Sequence, residues 1–287
     1  MRAGISLKSM RNKVAHPKDA ATVILLRKSR EPEKGNFEVL LVLRNRKSRF
    51  VPGSYVFPGG CLDEEDAVPE MEHFFTGMDR KKAQALFPDM SSPDKAPGIW
   101  VAGIRETFEE VGLLMAYQRD NILVSIDSDH LLEKFHSYRQ RLQKREISLK
   151  TILLNEGLTL ATDRLHYFSH WITPELLPLR YDVRFFLAEA PSNQTAIHDG
   201  TELTNHVWIT PQQALKRFKH YRLDMVVPTL VTIEELAGYK TIDDAVESTR
   251  RKEIRPILTV MVEESQGIVE YMTDGRVFKH MPPSILQ

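Results

Sequence analysis

The stretch GIRETFEEVGLL at 103–114 restricts this chain more than any other, because it reads as a short amphipathic helix that carries three carboxylates. Val101, Ile104, Phe108 and Val111 step by three, four and three residues, which gathers them on one face of a helix turning ~100° per residue. Glu106, Glu109 and Glu110 fall on the other face. Like charges at these spacings repel by roughly a few tenths of a kcal/mol per pair. Glu109 and Glu110 also stand just before Gly112, the expected helix stop, where acid opposes the helix dipole. Arg105 offsets part of this. A divalent cation would turn the same cluster into a ligand set, since hard oxygen donors suit Mg²⁺; a solvated acidic face is the alternative that local physics leaves open.

The core such a helix needs is available: 42% of the 287 residues are hydrophobic, enough for one large domain or one domain with sizeable additions. Thirty-nine basic side chains balance 39 acidic ones, so no bulk charge argues for nucleic acid or a membrane surface, and any anionic ligand must be held by a local patch. The longest apolar runs, such as VLLVL at 39–43, are strand-sized and far short of the ~20 residues of a membrane span. A single cysteine, Cys61, excludes an internal disulfide and a cysteine-based zinc site. The basic first stretch lacks the apolar core of a secretory signal and reads as a disordered terminus, a short organellar presequence being the lesser alternative. The C-terminal Ile-Leu-Gln differs from the Ser-Lys-Leu peroxisomal address. A cytoplasmic chain is the expectation.

ATVILLRK (21–28) and FEVLLVLRN (37–45) read as strands joined by the polar SREPEKGN, a hairpin pattern. SYVFPGG (54–60) reads as a third strand running into a loop where missing side chains allow close backbone approach. An acidic, proline-broken excursion with a helix or two follows, then the opening helix, then a charge-dense helical region over about 129–160. HWITPELLPLRYDVRFFLAEAP returns to strand, NHVWITPQQALKRF is a strand feeding a helix through Thr-Pro at 210–211, VPTLVTIEELAGY is another helix, and ILTVMVEESQGIVEYMTDG suggests a terminal hairpin.

Taken together, FPGG at 57–60 and RETFEEVGL at 105–113 resemble the Nudix hydrolase signature, in which Gly, five residues, Glu and seven residues precede R-E-U-x-E-E-x-G-U, U being a bulky aliphatic. Three departures stand out. Asp66 occupies the place of the family's first Glu, 38 residues rather than seven separate it from Arg105, and Thr107 stands where an aliphatic is usual. A box split in this way, with PGSYVFPGG before it and WITP and FFLA segments after it, resembles the long-insert coenzyme A diphosphatase branch typified by the mammalian peroxisomal kidney-type enzyme. The resemblance implies an α/β fold, the Nudix α/β/α sandwich with a mixed sheet. Its domain would span 21–240, with an insertion at 67–104 projecting as a cap beside the site, a helical insertion at 120–165, and extensions at 1–20 and 241–287.

The resemblance also assigns roles. Glu106, Glu109, Glu110 and the carbonyl of Gly59 would hold Mg²⁺ or Mn²⁺, and Arg105 would orient the carboxylates, with Asp66 accepting from it unless its shorter reach passes that task to Asp63, Glu64 or Glu65. The base that takes a proton from water would be Glu106 or Glu202, the latter a surface acid if taken alone. His198 is a weaker candidate. In RNRKSR (44–49), Arg44 and Arg49 with the neighbouring Phe50 are candidate substrate contacts, a solvated basic turn being the alternative. Arg184, on the strand face opposite Tyr181, Val183 and Phe185, wants an anion: a substrate phosphate or a structural carboxylate. The implied activity is hydrolysis of a pyrophosphate in a small nucleoside diphosphate, foremost coenzyme A or its thioesters. ADP-ribose, a nucleotide sugar, or a module that binds without turnover are the alternatives. The oligomeric state is not specified by the sequence.

Overall fold

The apolar runs at 23–26 and 39–43 become strands covered on both faces, and the rest of the sandwich is arranged around them. The computed structural model describes residues 14–280 except 32, 34, 91, 119, 120 and 266, so the basic segment at 1–13 and the last seven residues lie outside the described residues. The chain opens with β1 (Lys18–Lys28), β2 (Phe37–Arg44), β3 (Tyr55–Val56) and β4 (Gly59–Cys61). Then come α1 (Arg80–Leu86), α2 (Gly98–Val111), β5 (Ala116–Tyr117), α3 (Asp129–Gln143), α4 (Leu149–Glu156) and β6 (Thr159–Leu160). The second half runs β7 (His166–Ile172), β8 (Tyr181–Glu189), β9 (Leu203–Ile209), α5 (Pro211–Lys219), α6 (Val227–Leu236) and α7 (Ile242–Thr249). It closes with β10 (Pro256–Leu258), β11 (Val260–Glu264), β12 (Gly267–Tyr271) and β13 (Val277–His280).

The central strand is β1. It lies parallel to β8 from Lys18↔Tyr181 to Leu26↔Glu189 and antiparallel to β2 at its far end, where Ser29 N–H donates to Asn36 O at 3.0 Å and closes the hairpin. At its near end Ala20–Thr22 pairs antiparallel with β4, which brings the Pro-Gly-Gly loop against the middle of the sheet. Antiparallel β7 and parallel β10 complete one side, and β3 and β9 flank β2 on the other. Alternation splits the core. Val23, Leu25, Leu40 and Val42 face α2 and the segments around it, whereas Ile24, Leu26, Val39 and Leu41 face α5, α6 and α7. The expected α/β/α sandwich with a mixed sheet is thus the observed fold.

Its limits differ from the expectation. β1 begins at Lys18, and β10, with α7 against β1, β7 and β8, belongs to the sandwich, so the structural unit runs past residue 240. The expected hairpin is the β11–β12 part of a three-stranded sheet with β13. The segment at 67–104 does not project. Its last residues already form the first half of α2, and Met71, Ala83, Phe87 and Met90 are buried in the α2-side core, with Phe87 stacked on Trp100 at 4.8 Å. An insertion with this much apolar content is more stable packed against the sheet than in water. Thr107 is fully buried, and its hydroxyl finds no partner among the described residues. No helix of the described residues is long and apolar enough to cross a membrane.

Candidate active site

Arg105 and Asp66 stand far apart in sequence and meet side-on. Arg105 Nε and Nη2 donate to Asp66 Oδ1 and Oδ2, each at 2.9 Å, and Nη2 also reaches Cys61 O at 2.8 Å. Asp66 compensates for its shorter side chain because a 3₁₀ turn at Glu64–Ala67 carries its backbone toward the helix, and its Oδ2 accepts from Asp63 N at 2.9 Å. The third arm of the guanidinium, Nη1, donates to Glu106 Oε1 at 2.9 Å and to Glu109 Oε1 at 3.2 Å. Burial alone would lower the pKa of Arg105, but the bond to Asp66 and the charges of Glu106, Asp66 and Glu109 raise it well above its usual value. This cation therefore holds two of the three helix acids and joins both halves of the motif.

The third acid, Glu110, accepts from Gly59 N at 2.8 Å. The two glycines permit this approach: a Cβ on Gly60 would lie 2.3 Å from Glu106 Cδ, and one on Gly59 would lie 2.3 Å from Ala21 O. Burial pushes all three carboxyls up. Glu106 reaches about 7, with Glu109 adding to the shift against the pull of Arg105, and Glu110 rises well above its usual range, with Glu106 adding to it. The acidic end of α2 finds its counter-charge in a residue that no local pattern singled out. Arg139, on α3, donates to Glu109 O at 2.8 Å, Glu110 O at 2.7 Å and Ile197 O at 2.7 Å, and so caps the helix C-terminus with a buried cation. Gly112 ends the helix in the left-handed conformation at φ 73°.

A cleft of about 1320 Å³ opens in front of these groups, lined by Gly59, Gly60, Glu106 and Glu109, while Glu110 sits behind the lining. Arg44, Phe50 and Glu202 share the wall. Arg44 donates to Glu202 Oε1 at 2.8 Å and to Phe50 O at 3.2 Å, and Phe50 meets Tyr181 edge-on with ring centroids 4.8 Å apart. Glu202 is itself more than half exposed.

The family described as the NUDT19 Nudix domain matches residues 17–236 of this sequence. The chain belongs to the Nudix hydrolase family. The acyl-coenzyme A diphosphatase NUDT19 of Xenopus laevis is 24% identical over 82% of this chain and 73% of its own length. Its human counterpart is 25% identical over 75% of this chain and 64% of its own length. Among solved structures, a NUDIX hydrolase from Alicyclobacillus acidocaldarius is similar with a TM-score of 0.66 and 26% identity, covering 82% of this chain and 97% of that one. Nudix hydrolases use divalent metals, and the mutually repelling, all-oxygen donors of part-buried Glu106 and Glu109 and buried Glu110, set against glycines where a Cβ would collide, fit such an ion.

Two expected substrate contacts are not brought to the Nudix cleft. Arg49 is exposed and off its lining. Arg184 is fully buried and points to carboxylates of the protein: Asp19 at 3.0 Å, Asp182 at 2.9 Å and Asp89 at 3.4 Å. His170 joins that cluster, hydrogen-bonded through Nε2 to Asp182 and 3.6 Å from Asp89 through Nδ1. Of the two anions weighed for Arg184, the structural carboxylates are the ones present. His198 is paired with His206, Nδ1 to Nδ1 at 2.9 Å. The cleft also takes residues that sequence reasoning passed over, among them Tyr181, Arg145, Thr259 and Met261. Their positions follow from strand pairing and turns far from the box, and no local signal marks them.

Proposed function

We propose that this Nudix hydrolase cleaves the pyrophosphate of coenzyme A and its thioesters, releasing the (acyl-)4′-phosphopantetheine and 3′,5′-ADP. The observation that carries the reading is a cleft of about 1320 Å³ that joins the carboxylate cluster to an apolar wall including Trp171, Leu177 and Phe185. It exceeds the roughly 300–1,000 Å³ of ordinary small-molecule sites and suits a long ligand that is charged in the middle and apolar at one end. The relatives named acyl-coenzyme A diphosphatases support the same substrate class.

Glu106, Glu109 and Glu110, with the Gly59 carbonyl, are assigned to hold Mg²⁺ or Mn²⁺. When bound, such an ion neutralises phosphate charge, orients the substrate and acidifies water. The protein's own groups supply the rest. Arg105 fixes the carboxylates, and Gly59 and Gly60 leave the room that β1 and the Glu106 carboxylate occupy beside them. A water oxygen bonds to one phosphorus as that phosphorus loses its bond to the bridging oxygen. The bridging oxygen departs with the electron pair on the other phosphate, and the water's proton passes to a carboxylate. Glu106 and Glu202 are the two acids assigned as acceptors of that proton, separable by the pH profiles of kcat in Glu106→Gln and Glu202→Gln. Arg44 is the assigned partner of a phosphate remote from the cleaved bond.

The test is a panel of pyrophosphate compounds assayed with Mg²⁺ and with Mn²⁺, with the products identified. Release of 3′,5′-ADP from coenzyme A or an acyl-CoA at the highest specificity constant supports the proposal. Preference for ADP-ribose or a nucleotide sugar overturns the substrate, and absence of any turnover overturns the enzymatic reading.

A further inference from the structure

The Nudix family match ends at residue 236, yet the cleft does not. Because β10 pairs parallel with β7, Leu258 lies beside Ile172, and the chain then passes the Thr173–Pro174 edge of the cleft. Thr259, Met261 and Glu270, from this late segment, share one cavity with Gly59 and Glu106. Two of the three are buried, and Thr259 Oγ1 donates to Glu270 Oε1, which ties the corner before β11 to β12. Met261 stands opposite Glu270 in the β11–β12 register and is only partly buried, whereas its neighbour Val262 points to solvent.

The cleft spans both layers of the sandwich. Val101, Leu142 and Leu149 belong to the α2-side core, and Trp171, Phe185 and Val227 to the other core. The late segment joins only the second side. There the lining is largely apolar, with Trp171, Ile172, Leu177, Phe185, Val226 and Met261. On the first side the end of α3, the turn after it and the start of α4 contribute Gln143, Arg145, Glu146, Ser148 and Lys150, which are polar or charged. A pyrophosphate held at the carboxylate cluster between the two would have a polar, charged side and an apolar side, and an asymmetric nucleotide with one acyl end fits that division in one orientation.

We infer that the C-terminal segment is a specificity wall: Met261, on a strand braced by the Thr259–Glu270 hydrogen bond, packs against the acyl end of the substrate and limits the chain length accepted. The inference rests on the coenzyme A reading above and adds to it the region of the protein that selects among thioesters. A flexible, unbranched thioether side chain suits such a wall because it adapts to chains of different length.

The experiment uses the full-length protein and a series consisting of coenzyme A, acetyl-CoA, octanoyl-CoA and palmitoyl-CoA, with Met261→Trp, Met261→Ala and the solvent-facing control Val262→Trp. One extra or missing group in an apolar pocket changes a specificity constant by about tenfold or more. Met261→Trp should lower kcat/KM for the longest thioester by about tenfold, mostly through KM, while free coenzyme A changes by less than about twofold. Met261→Ala should shift the preference toward longer chains, and it keeps the test decisive if the tryptophan variant fails to fold. Val262→Trp should leave the whole series unchanged. If the wild-type protein hydrolyses the series but the variant-to-wild-type ratio is the same at every chain length, the wall is overturned and the coenzyme A reading stands. If the wild type hydrolyses no member of the series, both are overturned.

Discussion

Glu110 is the most buried of the three box acids, and among the described residues its carboxylate makes no ion pair; the carboxylate accepts from Gly59 N–H, and Arg139 bonds to the backbone carbonyl. Glu110→Gln keeps an acceptor for that bond and removes a charge from an apolar site, so the variant should fold with equal or slightly greater stability. Turnover should nevertheless fall about a hundredfold in the presence of Mg²⁺, the scale of a lost metal ligand or its immediate support. Parental turnover in the purified variant would end the metal-site assignment. The carboxyls also set a pH dependence. Glu106 has a folded pKa of about 7 against an ordinary 4.5, so between those values the folded state binds more protons than the unfolded state. The stability it contributes is complete below about 4.5 and is lost as pH rises through about 7, and Glu109 and Glu110 shift in the same direction. The melting temperature of metal-free protein should therefore drop between about pH 5 and pH 7.5, and Mg²⁺ should remove much of the drop; a flat metal-free profile would contradict this. Residue roles were legible where the chemistry is local. Three acids beside one arginine, at helical spacing, announce themselves. Arg184 does not, because the carboxylates that neutralise it are distributed over residues 19, 89 and 182, and nothing near Arg184 says which anion lies behind its strand.

At the scale of elements, the same arginine joins three parts of the structure: Asp19 on β1, Asp182 on β8, and Asp89 in the segment between the two halves of the box. Removing it leaves buried acids without a counter-charge. Arg184→Met should cost about 3–5 kcal/mol in denaturant unfolding, the usual penalty for breaking a buried ion cluster from one side. Asp89→Asn should cost much less, since Asp89 is part-exposed and its contact is the longest of the three. Equal penalties would mean that the cluster is not organised around Arg184. The hairpin of β1 and β2, the box helix and the Thr-Pro start of α5 could be read in advance because periodicity, a turn or a cap marks each one. α5 is capped by Thr210 and Gln213, each bonding back to the other's backbone. β10 could not be read. It is three residues long, Pro256–Leu258, and is a strand only because β7 offers an edge at Trp171. The same holds for the packed insertion: its prolines and acids suggested an excursion into solvent, while Phe87 and Met90 decided otherwise by burying against Trp100 and its neighbours.

For the molecule as a whole, the substrate proposal sets a measurable contrast. If Arg44 receives the 3′-phosphate of the adenosine, dephospho-coenzyme A should be the poorer substrate by roughly one to two decades in kcat/KM, the equivalent of a charge-assisted hydrogen bond of about 1.5–3 kcal/mol. Most of the loss should appear in KM, because the contact is remote from the bond that breaks. Equal constants for the two compounds would release Arg44 from that task. The position of β1 has a further consequence, one of timing. This strand is synthesised well before its parallel neighbour, which begins at Tyr181, and the last strand of the sheet ends at Leu258. Parallel pairing over such a sequence distance is slow to form, because the loop entropy must be overcome before the contacts reward it. A nascent chain therefore carries an apolar strand without its parallel partner until β8 has been made, and is exposed to aggregation for that period. Refolding from denaturant should show activity returning with the slowest phase, since the groups lining the cleft come from both ends of the chain and meet only when the last of them arrives.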